Sequence, residues 1–263
     1  MTDATTTPDP EDAATQLWGL ASERVALAAS VLVTRPSAPE LLLASFLYAV
    51  RPADVAALDT DLRAALARGV RRVVLEHRTP AWVEAELRLR DWTVEDELRL
   101  ELPDGAPLAG SPPPVDVRPG ARADPDWRIR GDLLRADHLE EDARHGVPPR
   151  PEADSAAIVQ HRRAIEESAP YLCAMRGGEV VGFLCTWVSP AGTGVIEDVY
   201  VRPASRGVGV ATALLHAAVA QLRRSGAGRI TIAAEIGDTP ARRYARLGFR
   251  PHHVVRSCLL DPT

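Results

Sequence analysis

The stretch Val195–Val219, VIEDVYVRPASRGVGVATALLHAAV, decides how the chain is built. A β-branched run, Val195 to Val201, ends at Arg202-Pro203. After a short basic, glycine-bearing loop an apolar series with helical spacing begins: Ala211, Leu214, Leu215, Ala218 and Leu222. This reads as a strand, a tight loop and a helix N-terminus. Such a junction is an anion site, because the first backbone N–H groups of a helix have no partner within it and the macrodipole places partial positive charge there. Gly207 and Gly209 let phosphates approach the backbone without a Cβ in the way, and Arg206 adds a positive charge. The expected ligand is a phosphate ester.

Absent features narrow the ligand. A P-loop needs Gly-Lys-Ser/Thr at the helix start, and the chain has Gly209-Val210-Ala211-Thr212; the dinucleotide fingerprint GxGxxG fails at its third glycine, where Thr212 stands. What does match is Arg-x-x-Gly-x-Ala, Arg206 to Ala211, after a strand ending in Val-x-Pro. Downstream, GDTPARRYARLGF, Gly237 to Phe249, carries a Tyr followed by Leu-Gly-Phe. With these two motifs in this order the chain resembles the GCN5-related N-acetyltransferase (GNAT) superfamily. The resemblance implies an α/β (α+β) fold with a mixed, mostly antiparallel central sheet flanked by helices, and acetyl-coenzyme A as acyl donor, with no metal. It also implies cofactor contacts at Val199, Tyr200, Val201, Arg206, Gly207, Val208, Gly209, Val210, Ala211 and Thr212. At Asp238 the family usually has an asparagine that contacts the cofactor; here the residue before Thr239-Pro240 reads most simply as a helix N-cap.

Length and composition set the bounds. The 263 residues allow one large or two modest domains, and 46% hydrophobic residues is ordinary for a globular chain. A net charge of -5 with both signs interspersed argues against a nucleic-acid surface. The odd set Cys173, Cys185 and Cys258, with no CxxC, suggests neither a disulfide framework nor a zinc site, so the cysteines read as small buried hydrophobes in a reducing compartment. The acidic N-terminus and the shortness of the apolar runs Val25–Val33 and Leu41–Val50 give the expectation of a cytoplasmic protein without a membrane span.

In chain order, residues 1–8 are expected as a disordered tail, followed by a helix capped by Asp9 and running to about Ser22. Arg24–Thr34 and Glu40–Val50 read as β-rich, Val55–Leu66 as an amphipathic helix stopped by Gly69, Arg72–Glu76 as a strand, Pro80 as a helix start and Thr93–Leu102 as a strand. PDGAPLAGSPPP, 103–114, reads as a linker between domains spanning 9–102 and 115–263. Beyond it come a strand at Val115–Arg118 and helices at Asp124–Asp137 and Glu152–Ser168 around the polar segment DHLEEDARHGVPPRP. Strands at Tyr171–Met175 and Val180–Val188 flank a Gly177-Gly178 turn. The deciding stretch is followed by a strand at Arg229–Ala234, a helix at Pro240–Leu247 and terminal strands to Leu260.

The chain also repeats itself. Arg72–Trp92 superposes on Arg229–Phe249 at one constant offset that pairs Gly69 with Gly226, Leu62 with Val219 and Leu58 with Leu215, and Val50-Arg51-Pro52-Ala53 parallels Val201-Arg202-Pro203-Ala204. The registers differ by a deletion that falls on the phosphate loop. The first copy also has Leu87 where the second has Tyr244, and Phe46 where the second has Glu197. Residues 9–102 thus read as a degenerate copy of the same unit in tandem, and only the second half is expected to bind the cofactor.

Acyl transfer from a thioester to an amine needs a base for the ammonium, a hold on the tetrahedral oxyanion and an acid for the departing thiolate. Strand alternation puts Val195, Glu197, Val199 and Val201 on one face and Ile196, Asp198 and Tyr200 on the other. Two adjacent carboxylates in so apolar a strand are unusual, and burial would push either towards a base's pKa. Ile-Glu-Asp-Val-Tyr-Val resembles the strand of diamine acetyltransferases in this superfamily, which implies Glu197 as base, with Asp198 second. Tyr244 is the candidate acid, and a backbone N–H near Val199 or Tyr200 the oxyanion donor. Within DHLEEDARHG, where the superfamily commonly forms its acceptor pocket, His138, Glu141 and Asp142 are candidates for the amine, alongside Glu140 and His145; a solvated helix end competes with that reading. His252-His253 resembles a metal pair only superficially, since adjacent strand residues point to opposite faces.

These residues give the expectation of an acetyl-coenzyme A-dependent N-acetyltransferase acting on a small-molecule amine by direct attack, with no nucleic-acid or membrane partner, as a monomer or homodimer. The alternatives are transfer of a longer acyl group or acylation of a thiol conjugate, as in tandem relatives of mycothiol synthase, and a non-catalytic acyl-coenzyme A sensor.

Overall fold

In the computed structural model, which describes residues 10–36, 38 and 41–260, the chain divides into two units. One comprises residues up to Arg99 and from His253 onward, the other Leu100–His252. The tail expected at 1–8 and the Asp9 cap lie outside the described residues. Among the described residues no helix is long and apolar enough to cross a membrane.

In the first unit, helix α1 (Ala13–Trp18) is capped by Asp12, whose carboxylate accepts the Thr15 N–H. Strands β1 (Glu23–Ala26) and β2 (Val31–Thr34) form an antiparallel hairpin, so the Arg24–Thr34 run turns back on itself instead of extending. Of the described residues in the second β-rich run, only β3 (Phe46–Tyr48) is a strand. Helix α2 (Val55–Leu66), strand β4 (Arg72–Leu75) and helix α3 (Ala81–Arg88) follow as the periodicity predicts, and β5 spans Thr93–Leu102. Alternation in the strands sorts the core: Leu32, Leu47 and Val73 pack with Leu58, Leu62, Val83 and Leu87 of α2 and α3, while Val31, Val33, Phe46, Tyr48 and Val74 cluster together apart from them.

The second unit opens with β6 (Asp116–Pro119). Helix α4 runs from Asp124 to His145, not to Asp137: most of the polar segment expected between two helices is its last two turns, and Gly146 at φ 69° ends it. Helix α5 (Glu152–Ile165), strands β7 (Tyr171–Arg176), β8 (Glu179–Val188) and β9 (Gly194–Val201), a single 3-10 turn at Pro203–Ser205, helix α6 (Val210–Arg224), strand β10 (Ile230–Glu235) and helix α7 (Thr239–Arg246) complete it. Strands β6 to β9 are antiparallel neighbours in sequence, and β10 joins β9 in parallel.

The last strand, β11 (Arg250–Leu259), shows why the unit boundary differs from the composition-based one. Its end, Arg256–Leu259, pairs antiparallel with Leu75–Arg72 of β4 in the first unit. The end of β5, Leu100–Leu102, belongs to the second unit, where the Leu100 carbonyl accepts the Thr231 hydroxyl of β10. The 103–114 segment is fastened to the second unit as well: Arg223 donates to the carbonyls of Pro103 and Ala106, and the Ala109 N–H to the Leu247 carbonyl.

The repeat is visible in the backbone. Val70 N–H donates to Ala65 O at 3.1 Å and Ala227 N–H to Leu222 O at 3.0 Å; Trp92 N–H donates to Leu87 O and Phe249 N–H to Tyr244 O, both at 3.1 Å. Gly69 and Gly226 are left-handed at φ 76° and 88°, each closing its helix in the same way. In both units a parallel pair, β3 with β4 and β9 with β10, follows an antiparallel one.

Candidate active site

Strand β9 is regular only in its first half. It pairs with β10 at Gly194, Val195 and Ile196 and then leaves it, although β9 continues to Val201 and β10 to Glu235. Against β8 the register jumps between Phe183–Tyr200 and Cys185–Glu197, and Asp198 takes the left-handed φ of 55°. This is a bulge, and the extra residue re-aims the side chains after it. The strict alternation expected from Val195 to Val201 is therefore broken: Glu197, Asp198 and Val199 are all half-buried, and Tyr200 and Val201 are buried.

The bulge is held by charge. Asp198 is gripped by the buried Arg162 of α5, Nε to Oδ2 and Nη2 to Oδ1, each at 2.8 Å, and its Oδ2 also accepts the Tyr171 hydroxyl at 2.6 Å. With both oxygens engaged, Asp198 positions the strand and is not free to act as the second-choice base. Glu197, next to it, stays within electrostatic range of both Arg162 and Tyr244.

Tyr244 lies on α7 and is buried at 6% exposure. Its pKa is pushed up, first by burial and then by the charge of Glu197, so the phenol stays protonated. Among the described residues its hydroxyl has no hydrogen-bond partner. Tyr200, by contrast, donates to Glu140 Oε1 at 3.0 Å and is pushed up to about 12 by burial and that carboxylate.

At the glycine loop, Gly207 and Gly209 have φ of 78° and 88°, and Gly209 is the N-cap of α6 with no side chain capping the helix. The two glycines differ in purpose. A Cβ on Gly207 would meet nothing within 4 Å, which fits a backbone left open for a phosphate, whereas a Cβ on Gly209 would come within 2.7 Å of Pro113. Arg206 does not point outward as a lone charge: it donates to the Val201 carbonyl at 2.8 Å, pairs with Glu140 at 2.6 Å and lies over the Tyr200 ring at 5.7 Å. It ties the loop to β9 and α4. Asp238 caps α7 through the Thr239 N–H and pairs with Arg144 at 3.3 Å.

The acceptor candidates on α4 fare differently from the expectation. His138 is buried against Ser155 of α5 at 2.9 Å, and burial lowers its pKa, so it is a neutral packing residue. Asp142 is buried and forked by Arg150, whose hydrogen bonds hold its pKa down at about 2; Glu141 shares that arginine at 2.6 Å. Both serve the joint between α4 and the loop before α5. Sequence reasoning missed Asp137. Once α4 is seen to continue, Asp137, Glu140, Glu141 and Arg144 fall at helical spacing on one face. Burial, then the charges of Asp198, Glu141 and Glu140, raise the Asp137 carboxyl to about 7. All three cysteines are buried and free, and among the described residues no group of His, Cys, Asp or Glu could hold a metal.

The sequence model of the Acetyltransferase (GNAT) family matches residues 133–249, from mid-α4 to Phe249. No curated protein matches the chain. Among solved structures the chain is similar over 92% of its length to a conserved protein of unknown function from Staphylococcus epidermidis (TM-score 0.68, 11% identity, 95% of that chain). It is similar over 96% to a GCN5-related N-acetyltransferase from Kribbella flavida (TM-score 0.65, 17% identity, 97% of that chain). It is also similar over 97% to a tandem GNAT protein from the clavulanic acid biosynthesis pathway (TM-score 0.55, 13% identity, 91% of that chain). At these identities the likeness is one of fold, and it extends across both halves. Residues 133–249, with their splayed strand pair and glycine loop, are a domain of the GNAT acetyltransferase family.

Proposed function

We propose that the second unit transfers an acetyl group from acetyl-coenzyme A to a primary amine. The observation that carries this reading is the parting of β9 and β10 after Ile196 beside the open Gly207 loop and the uncapped start of α6. A parted parallel pair leaves backbone N–H and C=O groups without ladder partners, which an extended pantetheine arm can take up as a further strand. The loop and the helix start supply N–H groups for the pyrophosphate.

In the transfer, the acceptor ammonium gives a proton to a carboxylate, for which Glu197 is the first choice. Its lone pair forms the C–N bond at the thioester carbonyl. A free N–H on the β9 side takes the oxyanion. When the tetrahedral species collapses the C–S bond breaks, the sulfur leaves with the electron pair and takes the Tyr244 proton, and the nitrogen passes its second proton to the resulting phenolate, leaving a neutral amide and a restored Tyr244. No cysteine is asked to carry the acetyl group; Cys185 is buried on the Ala169 carbonyl, and burial raises its pKa.

Calorimetry with acetyl-coenzyme A tests the donor half of this reading. Wild type should bind one molecule per chain, and Gly207→Glu, which places a carboxylate in the open side of the loop, should weaken binding by about tenfold or more. A thiol-release assay with a panel of primary amines tests the acceptor half. Two sites per chain would overturn the degenerate reading of the first unit. Binding without thiol release for any amine would make the protein an acyl-coenzyme A sensor.

A further inference from the structure

The helix that turns Tyr244 inward turns a row of arginines outward. With about 3.6 residues per turn, Ala241 and Tyr244 share the buried face of α7, and Arg242, Arg243 and Arg246 fall on the opposite, exposed face. Arg250, exposed at the start of β11, follows them. Among the described residues none of these four guanidinium groups makes a hydrogen bond or an ion pair. No acidic residue stands between Thr239 and His252, although the chain as a whole carries a net charge of -5. The carboxylates just before the helix are already engaged, Asp238 with Arg144 at 3.3 Å and Glu235 with His145 at 3.1 Å.

The internal repeat supplies the comparison. At the offset that superposes Arg72–Trp92 on Arg229–Phe249, α3 is the counterpart of α7, and there each arginine is answered by a glutamate four residues earlier. Arg88 meets Glu84 at 2.9 Å and Arg90 meets Glu86 at 2.7 Å. At the matching positions α7 has Ala241 for Glu84 and Arg243 for Glu86, and its Arg242 and Arg246 stand where α3 has Ala85 and Leu89. Like charges three or four residues apart on a helix repel, and Arg242, Arg243 and Arg246 are so spaced. Attraction to the carbonyl end of the helix accounts for Arg243 and Arg246 in the last turn, but not for Arg242 or for Arg250 beyond it. The first copy neutralises this face with its own side chains, and the second leaves it positive.

We infer that the outer face of α7 docks an acidic helix of a partner protein. Arg242 and Arg246 present two guanidinium forks about 6 Å apart along the helix, the spacing of two glutamates four residues apart on a facing helix. Such a partner supplies from outside the carboxylates that α3 carries within itself, and it relieves the repulsion among the arginines. A membrane surface suits this helix less, because the exposed positions of α7 are Thr239, Arg242, Arg243, Ala245 and Arg246, with no large apolar side chain to enter lipid. A nucleic acid would bring its phosphates against a chain that is acidic overall.

The test uses the full-length protein and a fluorescein-labelled helical peptide with glutamates four residues apart along one face, followed by fluorescence anisotropy. Wild type should bind the peptide, with affinity falling about tenfold as salt rises from about 20 mM to about 150 mM. In the double variant Arg242→Glu, Arg246→Glu binding should weaken by about a hundredfold, and this variant should instead take a peptide with lysines at the same positions. That exchange of partners is a gain that misfolding cannot produce. Arg88→Glu in the first unit should leave peptide binding unchanged. No binding by wild type, or equal binding by wild type and the double variant, would overturn the proposal. So would tighter binding of a DNA duplex or of phosphatidylglycerol vesicles than of the peptide. Calorimetry with acetyl-coenzyme A supplies the last arm: the double variant should match wild type, and a loss there would assign the arginines to the donor's phosphates and overturn the docking.

Discussion

Beyond their parallel strand pairs the two units treat the free backbone in opposite ways. In the second unit β9 and β10 separate after Ile196 and Ile232, no side chain caps the helix start that follows, and the loop glycine facing outward has nothing against it. In the first unit β3 and β4 are in register at Leu47 and Val73, and the backbone beyond is taken by the protein's own carboxylates. Glu76 Oε2 accepts the Ala49 N–H at 3.0 Å and Oε1 the Glu11 N–H at 2.7 Å; Asp54 caps α2 through the Ala57 N–H at 2.9 Å. A helix start and a parted ladder attract anions because their N–H groups lack partners. In the first unit covalently attached anions satisfy that need. In the second no side chain does so at the start of α6.

The deepest cut at this contrast is Arg162→Ala. It strips the cation from a buried carboxylate at the bulge, and removing one partner of a buried pair costs about 3–5 kcal/mol. Arg99→Ala in the first unit does the same to Asp12, which Arg99 grips at 3.0 Å through two nitrogens. Denaturant unfolding should show comparable losses for the two variants. Thiol release corrected for the folded fraction should fall only with Arg162→Ala, because Asp198 shapes the working strand and Asp12 only caps α1. Equal losses of activity would mean that the bulge has no special part in the chemistry.

Next in size is Glu76→Ala. It orphans the N–H groups of Ala49 and Glu11, a penalty of about 1–3 kcal/mol in unfolding free energy. Opening the first unit in this way should still give no second acetyl-coenzyme A site by calorimetry, since the glycine loop is missing there. A second site would show that Glu76 alone keeps the first unit closed.

The smallest effect sharpens the second unit's side. The folded-state pKa of Asp137, about 7, lies above its ordinary 3.8, so across that window the folded protein holds the extra proton and stability falls as pH rises. Asp137→Asn escapes that loss. Its thermal midpoint should match wild type in acid and exceed it by a few degrees above pH 7. A gap of the opposite sign would mean that the carboxylate is already paired in the free protein.

Much of this was legible in the residues. Gly207 and Gly209 in a strand–helix loop, with Leu247-Gly248-Phe249 downstream, pointed to the fold. The offset pairing Gly69 with Gly226 recurs as matching helix ends. The acceptor side was not legible. Reading DHLEEDARHG as a connection hid the spacing that puts Asp137, Glu140 and Glu141 on one helical face, and charge-rich sequence by itself does not say which carboxylates find an arginine. His138 and Asp142 looked like ligands for the same reason, and packing made them structural.

The chain's own order of residue types thus determined most of the strands and helices, the glycine loop before α6 and the absence of that loop from the first copy, because each rests on local periodicity and backbone freedom. Tertiary structure decided the rest: where β9 bulges, which glycine faces a ligand and which faces Pro113, which unit takes the last strand, and which carboxylate is left without a partner. These outcomes depend on distances between residues far apart in sequence, and desolvation and Coulomb energy exist only once those residues have been brought together.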